Sequence, residues 1–266
     1  MKQHAHKRIL IWSASYAPVA GGLQSIVAEL AKGLQQGGHT VQVLTNRIPS
    51  SLPSGEIIEG VAVSRLRFFH LFRSVSSVKD AAMALYGAIV FPWRLFQIIR
   101  IMRRFKPDVV NVHFPGQQIW FLGILQNLFT STRWIISLHG DEILQFFDFD
   151  GNNPQQSVRE KLSLSQKIKL NVLKKRITKS HAFTACSSYL MEMAGKLYVN
   201  GKVRGEVVYN GIDYTDFVTK QPRLISHDYI FACGRLAYTK GFDILVKAYA
   251  LLPESMKKRY ALVIAG

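Results

Sequence analysis

Cysteine is scarce in this sequence: the 266 residues include two, Cys186 and Cys233. Two cysteines cannot form a disulfide framework, and no C-x-x-C pair or His/Cys cluster has the spacing of a zinc site. Each cysteine ends a short apolar run, so we predict buried, reduced thiols, which suit the cytoplasm. The N-terminus has a short apolar run without a small-residue cleavage site, and we interpret it as a strand rather than a signal peptide.

Acidic residues are also few. Asp and Glu number 17 against 34 Lys and Arg, which gives a formal net charge of +17. Such a balance points to an anionic partner, which could be nucleic acid, anionic lipid or a phosphorylated small molecule, or it reflects a basic solubilising surface. The hydrophobic share of 48% is that of a folded globular chain and excludes a disordered one.

A long uninterrupted apolar run is missing. The most apolar stretch, residues 81–105, contains Pro92, which predicts a kink, and is interrupted by arginines, whereas a membrane-spanning helix needs about 20 apolar residues. Residues 92–106 have five basic residues and no acid. This composition is typical of a helix lying in the membrane plane, or of an ordinary helix packed on a sheet with solvated arginines. The candidate membrane contacts are Trp93, Arg94, Phe96, Arg100, Arg103 and Arg104.

What is present is a repeated pattern of a short apolar run followed by a segment of helical length. The predicted strands are residues 8–13, 40–45, 61–67, 108–113, 132–138, 182–187, 206–209, 228–233 and 260–265. Several are apolar almost throughout, which indicates strands covered on both faces. The alternation predicts an α/β fold with a doubly wound parallel sheet.

The pattern is interrupted once, which indicates two domains. Residues 216–227 lack a clean period and are predicted to be a linker between an N-terminal domain over residues 1–215 and a second domain that starts at residue 228. Residues 228–266 contain a single β-α-β unit, which buries too little surface to be an independent domain. We therefore expect the second domain to be incomplete in this chain.

Several familiar catalytic motifs are absent. Neither G-x-G-x-x-G nor G-x-x-x-x-G-K-[ST] occurs, and there is no G-x-S-x-G nucleophile elbow. Asp148-x-Asp150 has the form of a metal-binding D-x-D motif, but the pattern is short and frequent by chance. We expect no metal and no cofactor.

The candidate site residues follow the predicted strands, because ligands of an open parallel sheet bind beyond the carboxyl ends of its strands. They are Gly21, Gly22, His113, His139, Ser187, Asn210 and, after the second-domain strand, Arg235 with Lys240. Gly21 and Gly22 would let a phosphate approach the next helix, or form a mere turn. Arg235 and Lys240 suit a diphosphate, or are solvated cations. His139 could bind a sugar hydroxyl or move a proton, or be structural.

The motifs, taken in order, resemble those of the family-4 retaining glycosyltransferases. They are I-L-I-W-S with P-V-A-G-G-L-Q, then S-L-H-G-D-E, F-T-A-C-S-S-Y-L, V-V-Y-N-G-I-D and Y-I-F-A-C-G-R-L-A-Y-T-K-G-F-D-I-L-V-K-A. The resemblance implies the GT-B architecture of two Rossmann-like domains. It also implies that Gly21 and Gly22 lie by the donor diphosphate, that His139 contacts the donor sugar, and that Arg235 and Lys240 hold the diphosphate. His113, Ser187 and Asn210 are further candidate substrate contacts.

The resemblance implies transfer of a sugar, with retained configuration, from a nucleotide sugar to a glycan or lipid-linked acceptor in envelope polysaccharide or glycolipid synthesis. The protein would act in the cytoplasm, peripherally at an anionic membrane face. The family's Glu-x₇-Glu motif does not occur after G-R-L-A-Y-T-K-G, so we expect this polypeptide alone to be inactive. The alternatives are a non-catalytic basic protein that binds membranes or nucleic acid, and a nucleotide-sugar epimerase. Because RNA-binding and recognition-helix patterns are lacking, we expect no nucleic-acid partner.

Overall fold

The structure is a computed structural model, and it describes residues 5–19, 21–68, 78–147, 162–198, 204–211, 225 and 227–266. The chain forms two compact units, Met1–Ile212 and Asp213–Gly266. Of the predicted linker, residues 216–227, only residues 225 and 227 are described. The linker and the exact domain limits therefore stay predictions.

The first unit is built on one eight-stranded sheet. Its strands are β1 (Arg8–Ser13), β2 (Thr40–Asn46), β3 (Gly55–Ile58), β4 (Val61–Leu66), β5 (Val109–His113), β6 (Arg133–Leu138), β7 (Ala182–Ala185) and β8 (Arg204–Val207). Their spatial order is β3-β4-β2-β1-β5-β6-β7-β8. Every neighbouring pair is parallel except β3 and β4. The predicted α/β class with a doubly wound parallel sheet is confirmed.

Helices connect the strands. They are α1 (Gly22–Gln36), α2 (Val78–Phe105), α3 (Gln118–Leu128), α4 (Asp141–Leu144), α5 (Leu164–Thr178) and α6 (Ser188–Tyr198). The start of α5 is fixed by a capping box, in which the Ser163 and Gln166 side chains each accept the other residue's backbone N–H. Helix α2 continues through Pro92.

The sheet is covered on both faces because alternate residues of its strands point to opposite sides. On β1, Leu10 and Trp12 belong to the larger core cluster, which includes Ile98 and Met102 of α2. Ile9 and Ile11 belong to a smaller cluster, where they meet buried residues of α1. Burial on both faces explains why the central strands are apolar throughout.

Several details differ from the sequence prediction. Strand β3 was not predicted; it pairs with β4 alone at the sheet edge, and its half-exposed residues lack an apolar run. Strand β8 begins and ends two residues before the predicted 206–209. The prediction of buried thiols is wrong for Cys233, which is exposed, and only partly right for Cys186, which is half-buried.

The second unit contains a parallel pair of strands, β9 (Tyr229–Cys233) and β10 (Ala261–Ala265). Between them lie a 3₁₀ turn (Tyr238–Lys240), α7 (Phe242–Ala250) and α8 (Glu254–Arg259). This is the single β-α-β unit that the sequence predicts. Neither α7 nor α8 has a buried residue.

Candidate functional site

The sheet of the first unit has its switch point between β1 and β5. Strand β1 lies between β2 and β5, so successive connections leave it in opposite directions, and the carboxyl ends of such strands form a ligand-binding crevice. Ser13 and His113, the last residues of β1 and β5, are in register there. The predicted Gly21 and Gly22 lie just after β1, and His113 ends β5.

The glycine pair forms the N-terminus of α1. Gly21 is the N-cap residue, with φ 158° and ψ 163°, a backbone conformation that favours glycine. No side chain among the described residues caps this end of the helix, and its first turn contains no acidic residue. The free N–H groups and the positive end of the helix dipole therefore remain available to an anion.

His139 follows β6 and meets His113 across the neighbouring strand. His113 Nδ1 and His139 Nε2 lie 3.0 Å apart, within hydrogen-bonding distance. His113 is buried, and its Nε2 has no hydrogen-bond partner among the described residues. His139 is half-buried. The structure thus brings together two residues that the sequence predicted separately.

Both histidines are electrically neutral near pH 7. Burial lowers the pKa of His113 to about 3, with a smaller contribution from His139. Burial also lowers the pKa of His139 to about 4. A neutral imidazole donates or accepts hydrogen bonds but is a poor proton donor. The pair is therefore suited to binding polar ligand atoms rather than to general acid catalysis.

The loop that carries His139 is held by Glu142, which sequence reasoning missed. The Glu142 carboxylate accepts the backbone N–H of His139 and, at 3.0 Å, that of Gly140. Gly140 has φ 142° and ψ −79°, which a residue with a side chain adopts only under strain. Burial raises the pKa of Glu142 to about 7 and outweighs three backbone N–H groups, those of His139, Glu142 and Gly140, which lower it.

Polar side chains extend the site across the next strands. Ser137 Oγ donates to Asn111 Oδ1 at 2.8 Å and accepts from Thr184 Oγ1 at 2.9 Å. These residues lie on β6, β5 and β7 near the carboxyl edge of the sheet. The chain connects Asn111, Ser137 and Thr184 in one network, which satisfies groups that burial would otherwise leave unpaired.

The two remaining candidates of the first unit have different surroundings. Ser187 Oγ accepts the backbone N–H of Leu190 at 3.1 Å, which is the bond of a residue capping a helix. Asn210 is exposed after β8. Ser187 therefore caps a helix, and its role as a substrate contact, like that of Asn210, stays a prediction.

Arg235 and Lys240 belong to the second unit. Arg235 follows Gly234, whose φ is 152°, and Lys240 ends the 3₁₀ turn before Gly241, whose φ is 67°. Both cations are exposed in the loop that leads from β9 into α7. This is the predicted loop position, and their role as diphosphate ligands stays a prediction.

The candidate membrane residues divide into two groups. Trp93 and Phe96 are 58% and 52% exposed and stack on each other with ring centroids 5.6 Å apart. Arg100, Arg103 and Arg104 are exposed further along α2. Arg94 differs from them, because it is half-buried, donates to Gln97 Oε1 at 2.6 Å and lines a cavity, and its contact with a membrane stays a prediction.

The part of the chain that the structure describes contains no cluster of His, Cys, Asp or Glu that could hold a metal ion. Asp148 and Asp150 lie outside that part. The expectation of a reaction without metal or cofactor therefore stays a prediction.

Comparisons with solved structures agree with this architecture. The sucrose-phosphate synthase of Thermosynechococcus elongatus matches with a TM-score of 0.67 and 16% identity over 98% of this chain and 62% of that chain. The catalytic domain of Arabidopsis thaliana starch synthase IV, bound to ADP and acarbose, matches with a TM-score of 0.62 and 15% identity over 98% of this chain and 69% of that chain. The E. coli trehalose-6-phosphate structure bound with UDP-2-fluoro glucose matches with a TM-score of 0.61 and 15% identity over 97% of this chain and 64% of that chain. These likenesses show a fold of the GT-B type.

The chain thus spans less than two thirds of the length of the sucrose-phosphate synthase that it matches. No match was found among curated protein sequences. The model of the family described as Glycosyltransferase Family 4 matches residues 20–216, which is well over half of the 266 residues and includes the glycine turn and both histidines. The chain belongs to glycosyltransferase family 4.

Proposed function

We propose that the protein transfers a sugar from a nucleotide sugar to a glycan or lipid-linked acceptor, with retained anomeric configuration, in envelope polysaccharide or glycolipid synthesis. The observation that carries the proposal is the arrangement at the switch point. An uncapped helix N-terminus and a neutral histidine pair lie at the carboxyl edge of one family-4 sheet. The first suits a diphosphate and the second suits sugar hydroxyls.

The charge arrangement supports the donor class. Departure of a nucleoside diphosphate develops negative charge on its phosphates, and preorganised N–H dipoles and cations stabilise it. In the proposed reaction, the N–H groups of the first turn of α1 supply such dipoles. Two similar structures hold the corresponding ligands: the E. coli one is bound with UDP-2-fluoro glucose and an Anabaena one with UDP-glucose.

His139 is proposed to position the donor sugar. Its neutral imidazole cannot protonate the leaving group near pH 7, because its pKa is lowered to about 4. Its contribution would be a hydrogen bond whose direction His113 and the Glu142-bound loop fix. Such positioning matters because a misplacement of about 1 Å can reduce a rate on the order of 100-fold.

In the test, the protein encoded by the natural gene is incubated with a panel of radiolabelled nucleotide sugars and with membrane or glycan acceptors. Transfer of label, with the product's anomeric configuration determined by NMR, is expected. His139→Ala should lower turnover by at least about tenfold at a temperature at which circular dichroism shows the variant to be fully folded. His39→Ala, at the opposite edge of the sheet before β2, is the matched control. Absence of transfer to any acceptor, or equal losses in both variants, would contradict the proposal.

We also propose peripheral attachment to the cytoplasmic face of an anionic membrane. By length and composition, Leu85–Phe105 qualifies as a candidate membrane-spanning segment, with 17% of its window buried. Ile98 and Met102 of this segment pack in the core beside the sheet. On the outer side, Leu85, Ile89, Trp93 and Phe96 are exposed at spacings of three or four residues, and Arg100 continues the stripe. An apolar stripe ending in arginines suits a helix lying in the membrane plane.

A further inference from the structure

A cavity lined by arginines lies in the first unit, beside the strands on the far side of β1 from the histidine pair. Its volume is about 290 Å³, and its polar lining residues are Arg47, Ser54, Arg65, Arg67, Arg94 and Gln97. Arg47 follows β2, Arg65 and Arg67 lie at the end of β4, and Arg94 and Gln97 come from α2. We call this cavity the arginine pocket.

The arginine pocket is strongly and unevenly charged. Arg65 is fully buried and is paired with the Glu56 carboxylate and with the backbone carbonyl of Ala17. The other three arginines donate to uncharged oxygens, namely Leu52 O, Ser50 O and Gln97 Oε1. Among the described residues, the salt bridge to Glu56 is the pocket's only pairing with a carboxylate.

Two of the pocket's guanidinium groups have a buried nitrogen that makes no hydrogen bond to a described residue. Arg65 Nε and Arg94 Nε are both buried and have no partner among the described residues. Burial lowers the pKa of the Arg94 guanidinium. Tyr86 partly opposes this effect, and the positive charge of Arg67 adds a smaller lowering. Unsatisfied buried donors and clustered like charges are costly. A bound anion would offset the clustered positive charges.

We propose that the arginine pocket binds a phosphoryl group of the acceptor substrate. A phosphoryl group has several strong acceptor oxygens and up to two negative charges, and guanidinium groups bind such oxygens in pairs. The volume of the pocket lies just below the range of typical small-molecule sites. It therefore suits a phosphate with one attached sugar, and it is too small for a folded nucleic acid.

The position of the pocket supports an acceptor rather than a donor role. Strand β4 is three strands from β5 in the sheet, which corresponds to about 14 Å at the usual strand spacing. Both elements end at the same edge, and Arg65 contacts Ala17 in the loop that leads to Gly21 and Gly22. A ligand held here would reach toward the switch point without occupying it. The acceptor assignment rests on the proposed function, whereas binding of a phosphoryl group does not.

Calorimetric titration of the 266-residue chain with inorganic phosphate, glucose 6-phosphate and unphosphorylated glucose tests the binding. The two phosphates should bind and glucose should not. Arg67→Gln and Arg94→Gln should each raise the Kd for phosphate by about tenfold or more, because each removes a charged hydrogen-bonding group. Arg133→Gln, which removes an exposed arginine at the opposite edge of the sheet, should change it less than about twofold.

Folding is checked by the melting temperature of each variant. If Arg94→Gln unfolds, the exposed Arg67→Gln decides the outcome alone. Equal phosphate affinity in Arg67→Gln and Arg133→Gln, or no binding of either phosphate, would overturn the proposal. So would loss of UDP binding in Arg67→Gln, since the pocket would then belong to the donor diphosphate.

The source of the phosphoryl group is identified with phosphatidylcholine vesicles that contain either polyprenyl phosphate or phosphatidylglycerol. If the acceptor is lipid-linked, Arg67→Gln should reduce co-sedimentation with the former and leave the latter unchanged. If it is a soluble sugar phosphate, glucose 6-phosphate should bind while polyprenyl phosphate adds nothing. If the protein encoded by the natural gene binds phosphate but transfers no sugar, the proposed function is refuted, while phosphate binding by the arginine pocket is retained. Transfer with an unchanged acceptor KM in Arg67→Gln would refute the pocket's acceptor role alone.

Discussion

His113 Nδ1 and His139 Nε2 share one hydrogen bond of 3.0 Å across strands β5 and β6. Because both pKa values are lowered, to about 3 and about 4, both rings are neutral near pH 7, and one must donate while the other accepts. If His113 donates through Nδ1, its Nε2 is an unprotonated acceptor without a partner among the described residues. If His139 donates instead, His113 Nε2 must carry the proton and is a buried N–H without such a partner. Buried orphan N–H groups are the rarer arrangement. We therefore assign the donor to His113.

This assignment predicts the tautomers. His113 and His139 should each carry the proton on Nδ1, and neither ring should change its ¹⁵N shifts between about pH 5 and about pH 8. Long-range ¹H–¹⁵N NMR spectra distinguish the two nitrogens. An Nε2–H signal from His113, or a titration near pH 6.5 in either ring, would contradict it.

The same pKa values predict a loss of stability in acid. For both histidines the pKa in the folded state lies below the ordinary histidine value of 6.5, so the unfolded chain takes up protons first as the pH falls. Their contribution is present above pH 6.5 and is lost between 6.5 and about 3 to 4. Urea unfolding of His113→Gln should show a smaller acid loss than the original protein, although its stability near pH 7 is lower.

Glu142 should have the opposite pH dependence. Its pKa of about 7 in the folded state lies above the ordinary glutamate value of 4.5, so its contribution to stability is present below pH 4.5 and is lost as the pH rises through 7. Glu142→Gln keeps one oxygen for the loop N–H groups and removes the titration. Urea unfolding at about pH 6 and about pH 8.5 should show a smaller decrease in this variant. An identical decrease would mean that the carboxyl group is already ionised at the lower pH.

The sheet could be predicted because its central strands are buried on both faces. Val110 and Val112 of β5 are fully buried, and such strands stand out as apolar runs in the sequence. Strand β3 could not be found in this way, since Gly55–Ile58 pairs on one side only and is largely half-exposed or exposed.

The parts of the site that sequence reasoning missed are buried charges. Nothing in S-L-H-G-D-E tells that Glu142 turns inward while Asp141 is exposed. For Arg65 a signal existed: Val61 and Val63 are buried on β4, and Arg65 has the same parity in the strand. A period of two therefore places this arginine on the buried face, where a charge needs a partner or a ligand.

The two glycines that begin helices should respond differently to a methyl group. Gly140→Ala should destabilise the protein by about 1–3 kcal/mol, because φ 142° with ψ −79° strains an alanine. In Gly22→Ala the added Cβ would meet no atom within 4 Å, and the better helix propensity of alanine favours folding by up to about 1 kcal/mol. Chemical denaturation measures both. Equal destabilisation would show that the Gly140 backbone is not constrained as described.

Gly22→Ala also separates folding from ligand binding. If a diphosphate approaches the first turn of α1, a methyl group in the open space beside Gly22 should hinder it. Gly22→Ala in the protein encoded by the natural gene should therefore bind nucleotide sugars more weakly without losing stability. Competition binding with UDP and UDP-glucose checks this. Unchanged affinity would remove the glycine turn from the donor site.

The outer stripe of α2 should bind anionic membranes. Trp93→Ser with Phe96→Ser removes two exposed aromatic rings, and reversal of Arg100, Arg103 and Arg104 to Glu removes the adjoining positive charge. Each Lys or Arg near an anionic surface is worth about 1 kcal/mol, so the triple reversal should reduce vesicle co-sedimentation far more than tenfold. It should also abolish the preference for anionic over neutral lipid.

Two control variants match these changes in type but lie on α5. Leu164→Ser removes an exposed apolar side chain, and Lys174→Glu with Lys175→Glu reverses two charges. If the stripe of α2 is the contact surface, the control variants should keep most of the binding. Equal loss in both sets would show that attraction depends on the overall charge of +17 rather than on this helix, and binding that survives in the α2 variants would refute the contact surface itself.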